Sequence, residues 1–387
     1  MDAITFCLSF VASAAGTGFF DDPAHLRLVA YGIFLAFVLA MLALDLGVFH
    51  REAHEVSLRE AMGWSIVWLS LGVLFTGAVY IGYERHWLGL GLETPKYNPL
   101  AATEAGVPLI VRGTVDGWEA AKQYLTGYVV EKSLAMDNIF VIAIVFSFFA
   151  IPRKYQHRVL FWGILGALVM RGAMILIGAA LIMQAMWILI IFGAFLILTA
   201  LKMALVEGHT DPGRNIVVRL VRRFYPVYPG FDGQRFFTVV DGVRHVTPLF
   251  LALVMVEITD LIFAVDSIPA IFAITPDPFI VFTSNIFAIL GLRSLYFCLA
   301  AMIAKFRYLK PALILILAFV GVKLLLLSVP PYLPQLGSIL GLDLAAHRAI
   351  KIDTTISLAV VLGLLGLAVA LSALRPAKAA SAAPHGE

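Results

Sequence analysis

The sequence predicts an all-α, polytopic membrane protein of about nine transmembrane helices with an inverted three-helix repeat. Of its 387 residues, 61% are hydrophobic and 14% are charged, and the mean hydropathy is +0.93. Soluble globular chains are about 45–50% apolar and about 25% charged. The composition therefore excludes a soluble globular protein, a disordered chain and a nucleic-acid-binding protein with a basic face.

Nine apolar windows are long enough to cross a membrane, because a helix needs roughly 20 apolar residues to span about 30 Å of hydrocarbon. These windows cover residues 28–49, 64–83, 124–151, 159–183, 187–206, 247–274, 279–304, 311–329 and 352–374. They are numbered below as spans one to nine.

The distribution of basic residues predicts how the spans are oriented. The tail from 375 and four loops, at 50–63, 151–158, 207–246 and 305–310, hold 16 of the 28 Lys and Arg residues; the opposite side holds seven and the spans hold five. Loops rich in Lys and Arg stay in the cytoplasm. We therefore expect a multi-pass protein of the inner (cell) membrane, with its N-terminus outside and its C-terminus in the cytoplasm.

The segment before span one is apolar from Ala3 to Phe20. We expect it to form a surface or re-entrant helix outside the cytoplasm. A cleaved signal peptide is an alternative, although Met1 and Asp2 provide no positive region before the apolar stretch. A tenth span is another, and it would place the N-terminus inside.

These features predict seven successive regions. They are an extracytoplasmic N-terminal segment (1–27), the first two spans with an outer loop (28–123), repeat 1 (124–206), a basic cytoplasmic loop (207–246), repeat 2 (247–329), an outer loop with the last span (330–374) and a cytoplasmic tail (375–387).

The repeat is marked by one acidic motif that occurs in spans three and six. Span three contains Glu131-Lys-Ser-Leu-Ala-Met-Asp137-Asn138, and span six contains Asp260-Leu-Ile-Phe-Ala-Val-Asp266-Ser267, 129 positions later. The following spans carry matching basic residues, which are Arg171 and Arg293, then Lys202 and Lys323. Because each unit has three spans, the second copy must cross the membrane in the opposite sense, as in the inverted repeats of secondary transporters.

Five carboxylates lie inside predicted spans, where each ionised group costs about 2.5–3.5 kcal/mol. They are Glu131, Asp137, Glu257, Asp260 and Asp266. Three kinds of compensation are open: pairing with a basic residue, a bound cation, or protonation of some carboxylates. We interpret the repeated Arg and Lys residues, with Lys132, mainly as charge-balancing or structural groups. For Asp137 and Asp266 we favour a functional role, because apolar residues would serve stability better.

The ligands available around the motifs are carboxylate, amide and hydroxyl oxygens, with no His or Cys nearby. Oxygen ligands favour a hard cation such as Mn²⁺, Mg²⁺ or Ca²⁺ over zinc, copper or iron. Pro269, three residues after Asp266, removes one helical hydrogen bond, so we expect span six to be interrupted there.

At these residues the chain resembles the TerC/Alx family of integral membrane proteins, within the lysine-exporter-like superfamily. The resemblance covers roughly residues 28–330. Its motifs are Asp45-Leu-Gly-Val-Phe-His-Arg with His54-Glu-Val-Ser-Leu, Glu131 to Asn138, and Glu257-Ile-Thr-Asp260 continuing to Asp266-Ser267-Ile268-Pro269-Ala270. The resemblance implies manganese export, a link to tellurium resistance, and roles in metal loading or membrane insertion of other proteins.

The candidate metal site combines the acidic motifs with residues that the resemblance adds. Its members are Glu131, Asp137, Asn138, Asp260, Asp266, Ser267, Asp45 and Glu257. Asp45 lies near the cytoplasmic end of span one, so an entrance role is as plausible as direct ligation.

The predicted function is that of a secondary transporter that exports a divalent cation, first Mn²⁺ and alternatively Ca²⁺, with protons as a candidate coupling ion. The alternative is a membrane assembly or metallation factor for other proteins. We expect no permanently bound cofactor and no enzymatic activity, because no nucleotide, metalloprotease or hydrolase motif occurs in a supporting context. The arginines and aromatic residues of 207–246 are more typical of contact with anionic lipid than with nucleic acid. The oligomeric state stays open.

Overall fold

A computed structural model describes residues 23–47, 57–98, 109–185, 187–205, 223–300, 308–334, 338, 341 and 349–374. The expected N-terminal helix at Ala3 to Phe20 and the tail 375–387 lie outside these residues. The described chain is almost entirely helical, with two small β-hairpins at its surface.

Ten α-helices of eight or more residues occur in the described chain. They are α1 (Pro23–Gly47), α2 (Leu58–Glu84), α3 (Gly117–Phe148), α4 (Arg153–Gln184), α5 (Ile188–Leu205), α6 (Pro248–Phe272), α7 (Pro278–Ile289), α8 (Leu292–Ala300), α9 (Leu309–Ser328) and α10 (Thr354–Leu374). The antiparallel hairpins are β1 (Thr94–Tyr97) with β2 (Ile110–Gly113), and β3 (Phe237–Val240) with β4 (Val243–Val246).

The predicted polytopic all-α fold is confirmed. Eight segments of the described chain are long and apolar enough to span a membrane, with α7 and α8 forming one of them. The ninth predicted span corresponds to α3, a helix of 32 residues that also contains Glu131, Lys132 and Asp137. Buried charged residues also occur in α4, α6 and α9, at Arg171, Asp260 and Lys323.

Span seven, predicted as one helix over 279–304, is instead broken at Gly291 between α7 and α8. Gly291 has φ +77°, and a Cβ atom there would lie within 3 Å of the Trp68 side chain. Only glycine adopts this backbone conformation next to another helix without strain. The hydropathy pattern does not reveal such a break, because both halves of the span are apolar.

Lys132 stabilises the broken end of α7. Its Nζ donates hydrogen bonds to the carbonyls of Ala288 at 3.0 Å and Leu290 at 3.2 Å. The last carbonyls of a helix have no partner within that helix, and they lie at the negative end of its dipole. The buried ammonium group of Lys132 therefore provides hydrogen bonds to these carbonyls and a positive charge at the negative end of the dipole. It also joins α3 to α7.

The expected interruption at Pro269 does not occur, since α6 continues through it to Phe272. Proline removes one backbone hydrogen bond, and the buried surroundings of this last turn keep the helix intact. The first hairpin is attached at the same end, because Tyr97 Oη donates a 2.5 Å hydrogen bond to the Phe272 carbonyl.

The broken helix α7 lies at the centre of the described structure. In the segment Pro278–Cys298, 89% of the residues in its most apolar window are buried, whereas this share is 22% to 56% in the other candidate spans. Phe75 packs on Phe287 of α7 with ring centres 4.5 Å apart, and Phe34 and Tyr124 surround the same ring. The core thus forms around a helix with almost no lipid-facing surface.

The contacts between the two predicted repeats follow a reciprocal order. Helix α3 packs on α7 and α4 packs on α6, so the first helix of each unit contacts the second helix of the other. The third helices, α5 and α9, pack closely on each other. Two copies related by a twofold axis would produce this pattern. The inverted repeat remains a prediction that the packing supports.

We expect Gly291→Ala to lower the thermal unfolding midpoint of the purified protein in detergent. An L-residue in the left-handed region costs about 1–2 kcal/mol, and the new methyl group would also press on Trp68. Gly77→Ala is the matched control, because a Cβ atom at Gly77 in α2 meets no atom within 4 Å. Equal midpoints for the two variants would show that the break does not depend on Gly291.

Candidate functional site

A buried ion-pair cluster joins α3, α4, α6 and α7. Arg171 of α4 donates to Asp260 of α6 through two nitrogens, Nε to Oδ2 at 3.1 Å and Nη2 to Oδ1 at 2.7 Å. Its Nη1 donates to Glu131 of α3 and, at 2.9 Å, to Oδ1 of Asn285 in α7. Asn138 Nδ2 donates to Asp260 Oδ1 at 2.9 Å. These five residues, each at most 4% exposed, are called the central cluster.

Helical periodicity and small residues bring the central cluster together. Glu131 and Asn138 are seven positions apart, so they lie on nearly the same face of α3. On α4, Gly163 allows α6 to approach, since a Cβ atom there would lie 3.1 Å from Val256. Small residues at helix interfaces in membranes permit such close backbone approach, and this approach places Arg171 within reach of Asp260.

With both carboxylates ionised, the cluster has a formal net charge of −1, because it contains two carboxylates and one guanidinium. Several of its polar atoms have no hydrogen-bond partner among the described residues, namely Glu131 Oε2, Asn138 Oδ1 and Asn285 Nδ2. Ser267 Oγ, two helical turns after Asp260 on the same side of α6, is equally buried and also lacks a partner there. Buried oxygen atoms in this state are free to act as ligands to a hard cation.

Glu257 lies one turn before Asp260 and faces α4. A Cβ atom on Gly166 would overlap the Glu257 carboxylate, so the glycine provides the space that this side chain occupies. Its Oε2 is buried and has no hydrogen-bond partner in the described part of the chain. Glu257 thus borders the central cluster without joining its hydrogen bonds.

Asp137 and Asp266 lie outside the central cluster, and both are half-buried. Asp266 Oδ1 accepts a 3.0 Å hydrogen bond from Thr199 Oγ1 of α5, and Lys202 attracts it electrostatically. Asp137 interacts electrostatically with Lys310 at the start of α9. Each of these acids is therefore associated with the third helix of the opposite predicted repeat.

The predicted metal-site residues consequently divide into separate groups. Glu131, Asn138 and Asp260 meet, Glu257 borders them, and Asp137 and Asp266 lie apart. Within the described ranges no three His, Cys, Asp or Glu side chains converge as a metal site. Asp45 belongs to α1, but its side chain lies outside what the structure describes.

The other predicted charge-balancing residues occupy different environments. Lys323 is buried in α9, and its Nζ donates a 2.8 Å hydrogen bond to Ser357 Oγ of α10. Arg293 is buried at the beginning of α8. The two lysines at equivalent positions thus have different partners, since Lys202 attracts Asp266 and Lys323 donates to Ser357, while Arg171 links carboxylates from both repeats.

Asn285 is a member of the cluster that the sequence interpretation missed. Of the four asparagines in the chain, Asn138 and Asn285 are the two that lie inside predicted spans. An amide inside a predicted span was therefore an available signal, because polar side chains at this depth usually contact other helices.

The surroundings of the central cluster are closely packed. A cavity of about 10 Å³ borders Asn138 and Asp260, with Ile142, Ile289 and Leu292 among its other walls. This volume is close to the minimum for a single water molecule. The cluster is therefore closed to bulk solvent in this conformation.

The fold and the cluster define a class, that of polytopic helical membrane proteins with an ionised site at the contact between helices. The chain belongs to the TerC family: the profile described as integral membrane protein TerC family matches residues 116–380.

Similar proteins occur in several bacteria. The chain is 45% identical over 343 residues to membrane protein STKORF319 of Myxococcus xanthus, covering 88% of this chain and 91% of that protein. It is 44% identical over 300 residues to Alx of Escherichia coli strain K12, whose name proposes a membrane-bound redox modulator; the match covers 77% and 86% of the two chains. A membrane protein of Rickettsia bellii is 37% identical over 344 residues, covering 89% and 96%. No solved structure is significantly similar.

We expect Arg171→Met to reduce the yield of folded protein sharply. Removing one partner of a buried ion pair leaves uncompensated charge and destabilises by about 3–5 kcal/mol. Combining Arg171→Met with Glu131→Gln and Asp260→Asn should restore much of the yield, measured by size-exclusion chromatography of detergent extracts. Arg235→Met, at a side chain that is 74% exposed, serves as control. A stable single Arg171→Met variant would contradict the expected role of the pairs.

Proposed function

We propose that this protein is a secondary transporter that exports a divalent cation, with Mn²⁺ as the first candidate. The observation that carries the proposal is the central cluster. Two carboxylates from different predicted repeats converge on one positive group, and nearby buried oxygens have no hydrogen-bond partner among the described residues. In transporters built from inverted repeats, substrate binds between the repeats near the midplane.

Arg171 occupies the position that a transported cation would take between Glu131 and Asp260. In this conformation its guanidinium neutralises one of the two carboxylates. A divalent ion carries twice that charge, so it could neutralise both. We infer that metal binding requires Arg171 to withdraw from at least one carboxylate, and that the conformation described above is the closed, unloaded one.

We propose that Asp137 and Asp266 lie on the two paths by which a cation would reach the central cluster, one from each side of the membrane. In the proposed topology α3 runs inward, so Asp137 lies about 9 Å nearer the cytoplasm than Glu131, at 1.5 Å per residue. Helix α6 runs outward, so Asp266 lies about 9 Å nearer the outside than Asp260. The proposed path therefore has one half-buried acid on each side of the central cluster. Proton entry to a carboxylate as metal leaves would balance the charge.

The available ligand atoms favour a hard cation, and the sequence does not support thiol chemistry. The cluster and its neighbours offer carboxylate, amide and hydroxyl oxygens, which suit Mn²⁺, Mg²⁺ and Ca²⁺. The whole chain has two cysteines, Cys7 and Cys298, and no CxxC motif. We therefore propose a non-enzymatic protein of the inner membrane, although the name of the Escherichia coli relative refers to redox modulation.

We expect Asp137→Asn and Asp266→Asn to abolish manganese export at normal protein levels, because each removes the charge of one proposed access residue. The test is metal content after a manganese load in cells that lack the protein, complemented with each form. Wild type should hold cellular manganese several-fold below the two variants. Asp232→Asn is the matched control, because Asp232 contacts the exposed Arg235 and Thr238 outside the spans.

Purified protein in liposomes separates transport from an assembly role. A transporter should move Mn²⁺ into liposomes without a partner protein, and excess Ca²⁺ reports selectivity by competition. Export by wild type and both variants alike would show that the access residues are wrongly assigned. Equal manganese with and without wild type, together with inactive liposomes, would overturn transport and favour the membrane assembly or metallation factor.

A further inference from the structure

We propose that the β3–β4 hairpin binds the anionic surface of the membrane leaflet in which α4 and α6 begin. The inference does not depend on the transported ion. It concerns the segment between the two predicted repeats, and its ligand is the headgroup region of a phosphatidylglycerol-type lipid.

The hairpin is held at the membrane surface by the helix that follows it. Strand β4 ends at Val246, and α6 begins two residues later at Pro248. Thr247, between them, donates from its backbone N–H to the Phe236 carbonyl at 3.0 Å and from Oγ1 to the Arg235 carbonyl at 2.8 Å. The hairpin therefore cannot move far from the beginning of a membrane-spanning helix.

Contacts with α4 and α6 fix the orientation of this segment. Phe237 packs on Phe250 of α6 with ring centres 4.8 Å apart. The Arg158 guanidinium of α4 lies 5.2 Å from the ring centre of Phe236. Since Arg158 lies in the second turn of α4 and Phe250 in the first turn of α6, the hairpin adjoins the side of the membrane where both helices begin.

One face of the hairpin combines apolar side chains with an arginine. Val239 pairs directly with Arg244, so both side chains lie on the same face, together with Phe237. Val239 is 67% exposed, and the Arg244 guanidinium lies 4.7 Å from the ring centre of Phe237. The opposite face carries Thr238, whose hydroxyl donates to Asp232, so it is turned toward the preceding loop.

Such a face suits a charged lipid interface better than water or nucleic acid. Exposed valine and phenylalanine favour the boundary of the hydrocarbon, while a nearby arginine is attracted to an anionic surface. Phe224 and Tyr225, which are also exposed and lie earlier in the same loop, extend the aromatic character. A nucleic acid would be bound through many phosphate contacts, and Val239 and Phe237 provide none.

The test measures lipid contact at two exposed valines on opposite faces. Full-length protein with Cys7→Ser and Cys298→Ser would carry a spin label at Val239→Cys or Val243→Cys, in nanodiscs of phosphatidylcholine with or without phosphatidylglycerol. Val243 pairs with Val240 on the other face and is 51% exposed, so it is the matched control. Collisions with oxygen and with a water-soluble nickel complex report the depth of each label.

With phosphatidylglycerol, we expect the ratio of oxygen to nickel collisions at position 239 to exceed that at position 243 at least threefold. Arg244→Glu should abolish this difference and Arg244→Lys should preserve it. Equal ratios at the two positions would overturn the proposal. A high ratio at 239 that is the same without phosphatidylglycerol would overturn its anionic-lipid part.

Because labels can disturb packing, native mass spectrometry of the unlabelled protein should show at least twofold less retained phosphatidylglycerol for Arg244→Glu than for wild type.

Discussion

The contact between Arg171 and its two carboxylates is the interaction on which the rest of the membrane-embedded structure depends. Glu131 and Asp260 come from helices whose acidic motifs are 129 positions apart, and neither charge could persist alone in a low-dielectric interior. The Arg171 guanidinium holds three helices together, because α3, α4 and α6 must come into contact around it. This contact also requires small residues on α4, since a larger residue at Gly163 or Gly166 would separate α4 from α6.

The broken helix α7 is the second consequence of placing charge at this depth. Asn285 contacts the same guanidinium, and Lys132, next to Glu131 on α3, reaches the carbonyls at the end of α7. Adjacent residues of α3 thus serve two purposes: one carboxylate pairs with Arg171, and one ammonium caps a half-helix. The lysine is satisfied by backbone carbonyls, so it does not have to neutralise either carboxylate of the cluster, which keeps its net negative charge.

Much of the fold could be predicted from the sequence, because long apolar windows and scarce charges are local signals. The spans and the acids in them were found in this way. The break at Gly291 was missed because it depends on a left-handed glycine beside Trp68, which hydropathy does not encode. The expected interruption at Pro269 was wrong in the opposite direction, because the helix continues to Phe272 and tertiary packing outweighs one lost hydrogen bond. The prediction grouped Asp137 and Asp266 with Glu131 and Asp260, but positions six apart on a helix point in different directions, and only the partner helices decide what each one meets.

The two acidic motifs resemble each other in sequence but do not have equivalent environments, and this difference bears on mechanism. In a fully symmetric pair the two arginines would occupy equivalent places in their helices, with no preferred side. Here Arg171 joins carboxylates of both predicted repeats, while Arg293 lies in α8 beyond the break at Gly291. Asp266 has a hydroxyl donor in Thr199, whereas Asp137 interacts electrostatically with Lys310 at the start of α9. An inverted-repeat transporter needs two conformations that exchange the roles of its halves, so unequal contacts in one conformation are what a single state of such a cycle would contain. In the transporter proposed above, Arg171 would be the group whose partners change when the site opens, because its contacts join the two predicted repeats.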